Sequence, residues 1–179
     1  HIADKVYCCT VPTNNRLAIT AGIITGNCSE IIGYNLHCNL SEIHTNRLDP
    51  DNELEQLDAA KAAGIWVSIL LERGFTDPLY QKSREKDPIV GASITGVFDH
   101  FVYKFGVDWL RWWMNDRSRE WHPKEVDTKT MSKSAQREWE LDDEHSTLGR
   151  FFLDKERETL DKWRRTARKS VEDYCKERD

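Results

Sequence analysis

The chain has no apolar run approaching the ~20 residues that cross a bilayer, so no membrane partner is expected. It has no excess of positive charge. Its 26 Lys and Arg face 31 Asp and Glu, a net charge of −5, and that balance gives no general attraction to nucleic acid. The C-x-x-C and His/Cys spacings of zinc sites are missing. His37 beside Cys38 does not supply them, and no metal is expected. The five cysteines are an odd number without a compact framework, which fits individual thiols in a reducing cytosol better than a secreted disulfide scaffold. The run Gly91-Ala92-Ser93-Ile94-Thr95-Gly96 lacks the Gly-Lys-Ser/Thr ending of a phosphate loop. The first residues lack a basic region followed by an apolar run, so no secretory leader is expected.

What is present is concentrated between Gly26 and His44, GNCSEIIGYNLHCNLSEIH. In extended chain, residues i and i+2 share a face ~6–7 Å apart. Cys28 and Glu30 then point one way together, a thiol beside a potential base, and Ser29 points away. Gly33-Tyr34-Asn35 can turn the chain. Leu36 to Ile43 reads as a second strand, and pairing of the two segments brings Cys38 back near Cys28 and Glu30. Taken singly, each cysteine also reads as a small buried hydrophobe, and Glu30 as a solvated carboxylate.

Residues 1–27 are of a different kind. Val6–Val11, Leu17–Thr20 and Ile23–Thr25 read as three short strands, with turns at Pro12–Asn15 and Ala21-Gly22. Further on, Asp49-Pro50 suits a helix start. Leu54, Leu57, Ile65, Ile69 and Leu70-Leu71 continue at helical spacing to Arg73. Ala59, Ala60, Ala62, Ala63 and Gly64 permit close packing, and Gly74 is a stop. Phe75 to Ala92 reads as an irregular, solvated loop. Val97, Phe98, Phe101, Val102 and Phe105 form an apolar helical stripe, followed by Trp109, Trp112 and Trp113. Without basic interleaving, these aromatics read as packed core rather than a stacking platform for a base or a corrin. Asp116 to Thr147 is charge-rich and poor in aliphatics, and reads as a surface insertion or flexible excursion. Phe151–Cys175 reads as one long helix, with Leu153, Leu160, Trp163, Ala167, Val171 and Tyr174 as its stripe.

The ordered wording C-S-E-I followed by C-N-L-S-E-I-H resembles the active-site segment of ribonucleotide reductases. LDPDN, YQKSREKDPIVGASITGVFDHFVYKFGVDWLRWW and VEDYC sharpen the likeness toward the monomeric, adenosylcobalamin-dependent (class II) ribonucleoside-triphosphate reductases. The likeness is dense over Cys28–Trp113 and looser over Phe151–Cys175. It implies that Cys28 is the cysteine that becomes a thiyl radical, Glu30 the catalytic base, and Cys38 one member of the reducing pair. It further implies a ribonucleoside triphosphate substrate, adenosylcobalamin as radical source, and a thioredoxin-like reductant. The family's asparagine before the radical cysteine has no matching position, because Asn27 is adjacent to Cys28 rather than one residue removed.

VY-x-x-TVP and RLAITAGIITGN resemble the C-terminal end of an intein. By that resemblance Asn27 cyclises to cut the bond after it, Cys28 is the first residue of the downstream extein, and Cys8 assists splicing. Gly26 stands where a histidine is usual. A complementary N-terminal intein and reductase half is then required as partner.

The expected fold class is α/β: an α-rich fragment of the reductase α/β barrel, with a short N-terminal β segment from an intein (Hint-like) domain. The expected divisions are residues 1–27 as intein end, 28–115 as barrel fragment, 116–150 as charged insertion, and 151–179 as C-terminal helix. The expected location is cytoplasmic. Two other readings stay open: a split-intein half whose main activity is splicing, and a non-catalytic helical interaction module.

Overall fold

A computed structural model describes residues 16–18, 24–26, 39–86, 90–142 and 146–178. The chain divides into two compact units, His1–Cys38 with Phe75–Pro88, and Asn39–Gly74 with Ile89–Asp179. The described part is mostly helical with a small two-stranded parallel sheet, an arrangement compatible with an α-rich α/β fragment.

In the first unit, β1 (Arg16–Ala18) and β2 (Ile24–Gly26) pair antiparallel, with Leu17 opposite Thr25. They correspond to two of the three expected N-terminal strands; the third, Val6–Val11, lies outside the described residues. The same unit holds a helix, α2 (Pro78–Lys86), within the stretch expected to be irregular. Asp77 accepts from the Leu79 amide at 2.8 Å, and Pro78 at the first helical position needs no amide partner. Those two residues start a helix rather than mark a loop.

In the second unit, β3 (Asn39–His44) and β4 (Val90–Thr95) run parallel, with Ser41 beside Ala92 and Ile43 beside Ile94. The first half of β4, Val90 to Ala92, also lies in the expected loop. The crossover between the strands carries α1 (Glu53–Glu72). Its cap is Asn52, which accepts from the Glu55 amide at 3.2 Å, not Asp49. Asp49 instead closes a local turn by accepting from the Asp51 amide at 2.9 Å.

The buried face of α1 is Gln56, Ala60, Ala63, Gly64, Val67 and Ser68. Leu54 is 75% exposed and Ile69 43%, so of the aliphatics at helical spacing these two stay outside, while Leu57 packs against the cluster of Ile43, Ala60 and Ala63. The face is chosen by size. A Cβ on Gly64 would fall inside contact distance of the Ser170 hydroxyl and the Ala167 carbonyl on α6 (Leu148–Lys176). Only a glycine lets the two helices approach so closely.

The larger core is aromatic. Helices α3 (Val97–Phe105) and α4 (Val107–Met114) are separated by Gly106 at φ 76°. They contribute Phe101, Phe105, Trp109 and Trp112, and α6 contributes Leu148, Phe151 and Phe152. Residues 116–142 are not a surface excursion. Their helix α5 (Lys133–Glu140) buries Ala135, Met131 is buried ahead of it, and Trp121, Val126 and Trp139 pack on the same cluster. Aromatics and backbone ties replace the missing aliphatics: the Asp127 amide donates to buried Asp108 at 2.7 Å, and the Gly149 amide to the Trp121 carbonyl at 2.9 Å. The last helix begins at Leu148, capped by Thr147. Its buried positions include Phe152, Glu156 and Ser170, while Leu160 from the expected stripe is 36% exposed.

Candidate functional site

Cys8, Asn27, Cys28, Glu30 and Cys38 all lie outside the described residues, as does His37. Their proximity is therefore not part of the geometry below. The described part of this wording begins one residue after Cys38, where it runs into β3.

The β3–β4 pair has two unlike faces. Ser41 and Ile43 turn toward α1; the Ser41 hydroxyl donates to the Ala63 carbonyl at 3.1 Å, and Ile43 packs with Ala60, Ala63 and Trp163. The alternate residues Leu40, Glu42 and His44 turn the other way, and all three are exposed. In register with them stand Gly91, Ser93 and Thr95. A Cβ on Gly91 would press on the Leu40 side chain at 2.7 Å, which fixes the two residues on one face. A parallel strand pair is ordinarily covered on both faces by apolar packing. This one has a helix-covered face and an open face carrying a carboxylate, an imidazole and two hydroxyls.

Beyond the C-terminal ends of both strands, where open α/β sheets bind ligands, lies a buried polar joint. Thr45 is 1% exposed, and its hydroxyl donates to the Thr95 carbonyl at 2.9 Å, tying one strand end to the other. The Thr45 carbonyl lies 3.2 Å from Nδ1 of His100, which is fully buried. Gly96, at φ 71°, opens α3 against the Asn46 side chain. Among the described residues, Asn46 Oδ1 and His100 Nε2 are buried without a hydrogen-bond partner. Burial pushes the His100 imidazole below its usual range, and the like charge of Lys104 adds to this against the Thr45 bond.

A second polar cluster is set into the aromatic core. Glu156 is 4% exposed, accepts from Trp109 Nε1 at 2.7 Å, and pairs with Arg117. Arg117 also lies 5.2 Å over the Trp112 ring. Asp116 and Arg117 both adopt left-handed backbone, φ 57° and 55°, a conformation costly for non-glycine residues. Burial raises the Glu156 carboxyl above its ordinary range, although Arg117 and Trp109 favour the anion. Beside it is a recess of about 290 Å³ with Phe98 and Trp113 at its mouth. Trp109 and Trp112 are core residues, as expected, and Trp113 is 46% exposed.

A cleft holding Lys104, Lys155 and Lys162 is not an anion site, because Glu138, Glu158 and Glu53 pair with these lysines. Among the described residues there is no group of three or more His, Cys, Asp or Glu able to hold a metal ion, and no helix is long and apolar enough to cross a membrane.

Glu42, His44, Ser93, Thr95 and His100 were not singled out by sequence reasoning. A usable signal existed in the alternation that follows Cys38. It needed the partner strand, whose first half lies inside the segment expected as loop. No family model, curated protein or solved structure matches this chain.

Proposed function

We propose that the chain is a fragment of an adenosylcobalamin-dependent ribonucleoside-triphosphate reductase, joined at Asn27-Cys28 to the C-terminal end of an intein. The observation that supports this most is a continuity: the Cys28, Glu30, Cys38 wording leads directly into a parallel strand with one helix-packed face and one open polar face. Barrel strands likewise pack helices on one face only, with reacting groups held at the C-terminal ends of the strands and the loops beyond them. Cys38 shares its parity with Leu40, Glu42 and His44.

With a thiyl radical on Cys28, the sulfur removes the ribose 3′ hydrogen atom and becomes a thiol. Glu30 accepts the 3′-hydroxyl proton, a role that needs hydrogen-bond reach. The 2′-hydroxyl then leaves with a proton as water. Cys38 and a second thiol supply that proton, a hydrogen atom for the 2′ carbon and one further electron as they become a disulfide. Glu30 returns its proton to the 3′ oxygen and Cys28 its hydrogen to the 3′ carbon, which restores the thiyl radical, and a thioredoxin-like dithiol reduces the disulfide by exchange. Neither His100 nor the aromatic recess fits a cobalamin site. His100 is sealed between Phe101 and Trp163, out of reach of a corrin. The aromatic recess, at about 290 Å³, is too small to seat that wide rigid ring.

The test uses the full chain mixed with a complementary intein and reductase half. A ligated product lacking residues 1–27 is expected by mass spectrometry, together with deoxynucleotide formation from a ribonucleoside triphosphate. Asn27→Ala should stop the first. Glu30→Gln should leave the first intact and reduce the second at least a hundredfold. A ligated wild-type product that forms no deoxynucleotide would overturn the reductase assignment, wild-type turnover by the ligated Glu30→Gln protein would overturn the role of Glu30 as base, and an unligated mixture would overturn the intein assignment.

A further inference from the structure

We propose that His100 is an acid-triggered release for the joint between the C-terminal ends of β3 and β4. This does not rest on the reductase reading. The Thr45 carbonyl can only accept, so the 3.2 Å contact puts the proton of a neutral imidazole on Nδ1. That leaves Nε2 as a bare lone pair, buried without a partner. The ring meets the Thr45 carbonyl from the turn after β3, Phe101 and Lys104 from α3, and Trp163 from α6, and the unpartnered Asn46 Oδ1 belongs to the same joint. None of these is a carboxylate.

Protonation places an N–H at Nε2 where none of these groups accepts it, and adds a positive charge near Lys104. A buried, unpaired cation is far costlier than a solvated one, so the charged ring must leave its seat. Its departure frees the Thr45 carbonyl. Thr45 is also the residue whose hydroxyl holds the end of β4. Release of His100 therefore loosens both strand ends, and with them the face that carries Glu42 and His44.

The sign follows from proton uptake. The open form binds a proton near pH 6.5 and the closed form resists it. Closure is complete above that value and is lost as pH falls below it. One proton changes the opening constant about tenfold per pH unit.

The experiment is amide hydrogen exchange on the full chain between pH 7.5 and 5, expressed as protection factors, with the His100 imidazole followed by NMR in the same samples. Protection in β3 and β4 should fall about tenfold per pH unit below 6.5, in step with His100 protonation. His100→Gln, which can still donate to Thr45 but does not titrate, should abolish that dependence. The same slope in the Gln variant overturns the proposal. So does a wild-type His100 that titrates at its ordinary value while strand protection stays constant, a result that holds even if the variant does not fold.

Discussion

Helix α6 passes through two cores built on opposite plans. Its first turns meet the aromatic cluster, where Phe101, Phe105, Trp109, Trp112, Phe151 and Phe152 fill space with large rings. Its later turns meet α1, where Ala60, Ala63 and Gly64 are buried because they take up so little space. In the first core the dominant gain is ring area removed from water, with edge-to-face pairs such as Phe105 and Phe151 at 6.0 Å adding to it. In the second it is close backbone approach. Stability thus depends on volume in one region and on its absence in the other, so substitutions of opposite kind should damage them.

The largest effect is expected at Trp112. It is fully buried, donates to the Ser118 carbonyl at 2.8 Å, and packs on Phe152 with ring centroids 5.5 Å apart. Trp112→Ala should cost ~3–5 kcal/mol in urea unfolding. A cost under ~1 kcal/mol would mean that the aromatic core is not held by volume.

Next is Gly64→Ala. In an open helix this change stabilises by ~1 kcal/mol. Against the Ser170 hydroxyl and the Ala167 carbonyl, overpacking should reverse the sign and destabilise by ~1–3 kcal/mol. A stabilised variant would remove the contrast between the two regions.

The smallest effect concerns the link between them. Asp51, just before α1, accepts from the Lys133 amide at 3.1 Å and the Ser134 amide at 3.0 Å, at the start of α5. Burial works against its charge. Hydrogen bonds from Ser132, Ser134 and those two amides outweigh this and hold the carboxyl at about 2, below its ordinary 3.8. A lowered carboxyl stabilises above its unfolded value and loses that contribution as pH falls from 3.8 toward 2. Asp51→Asn should cost ~1 kcal/mol at pH 7, less for solvent screening. Wild type and variant should converge as the pH approaches 2. A gap that persists there would assign the effect to shape rather than charge.

The long helices were legible because their periodicity is local: α1 and α6 lie within a few residues of their expected ends. Which face each buries was not. The aliphatics of α1 carry the expected spacing, yet Leu54 and Ile69 stay exposed because the neighbouring helix admits only small residues there. Residues 116–142 misled for a related reason. Their composition is that of a loop, but Trp121 and Trp139 meet Phe152 and Phe151 from α6, and Met131 joins the same cluster. β4 was missed because a parallel strand takes its partner from a distance, here Val90 beside Asn39. Of the site, the Cys28, Glu30 and Cys38 pattern is visible as wording alone. The polar face of β3 is visible only as alternation, without the sheet that gives it a direction.

The order of residues by itself determined the two long helices to within a few residues, two short strands near Leu17 and Thr25, and the thiol and carboxylate spacing that motivates the proposed chemistry. These depend on hydrogen bonds and alternation spanning a few residues. Only the tertiary structure decided that β3 lies beside β4, that Gly64 is a contact rather than a flaw, and that His100 closes the strand ends with one ring nitrogen unpartnered. Each of those depends on atoms about 50 to 110 positions apart in the chain, whose meeting is set by which surfaces fit, not by local preference.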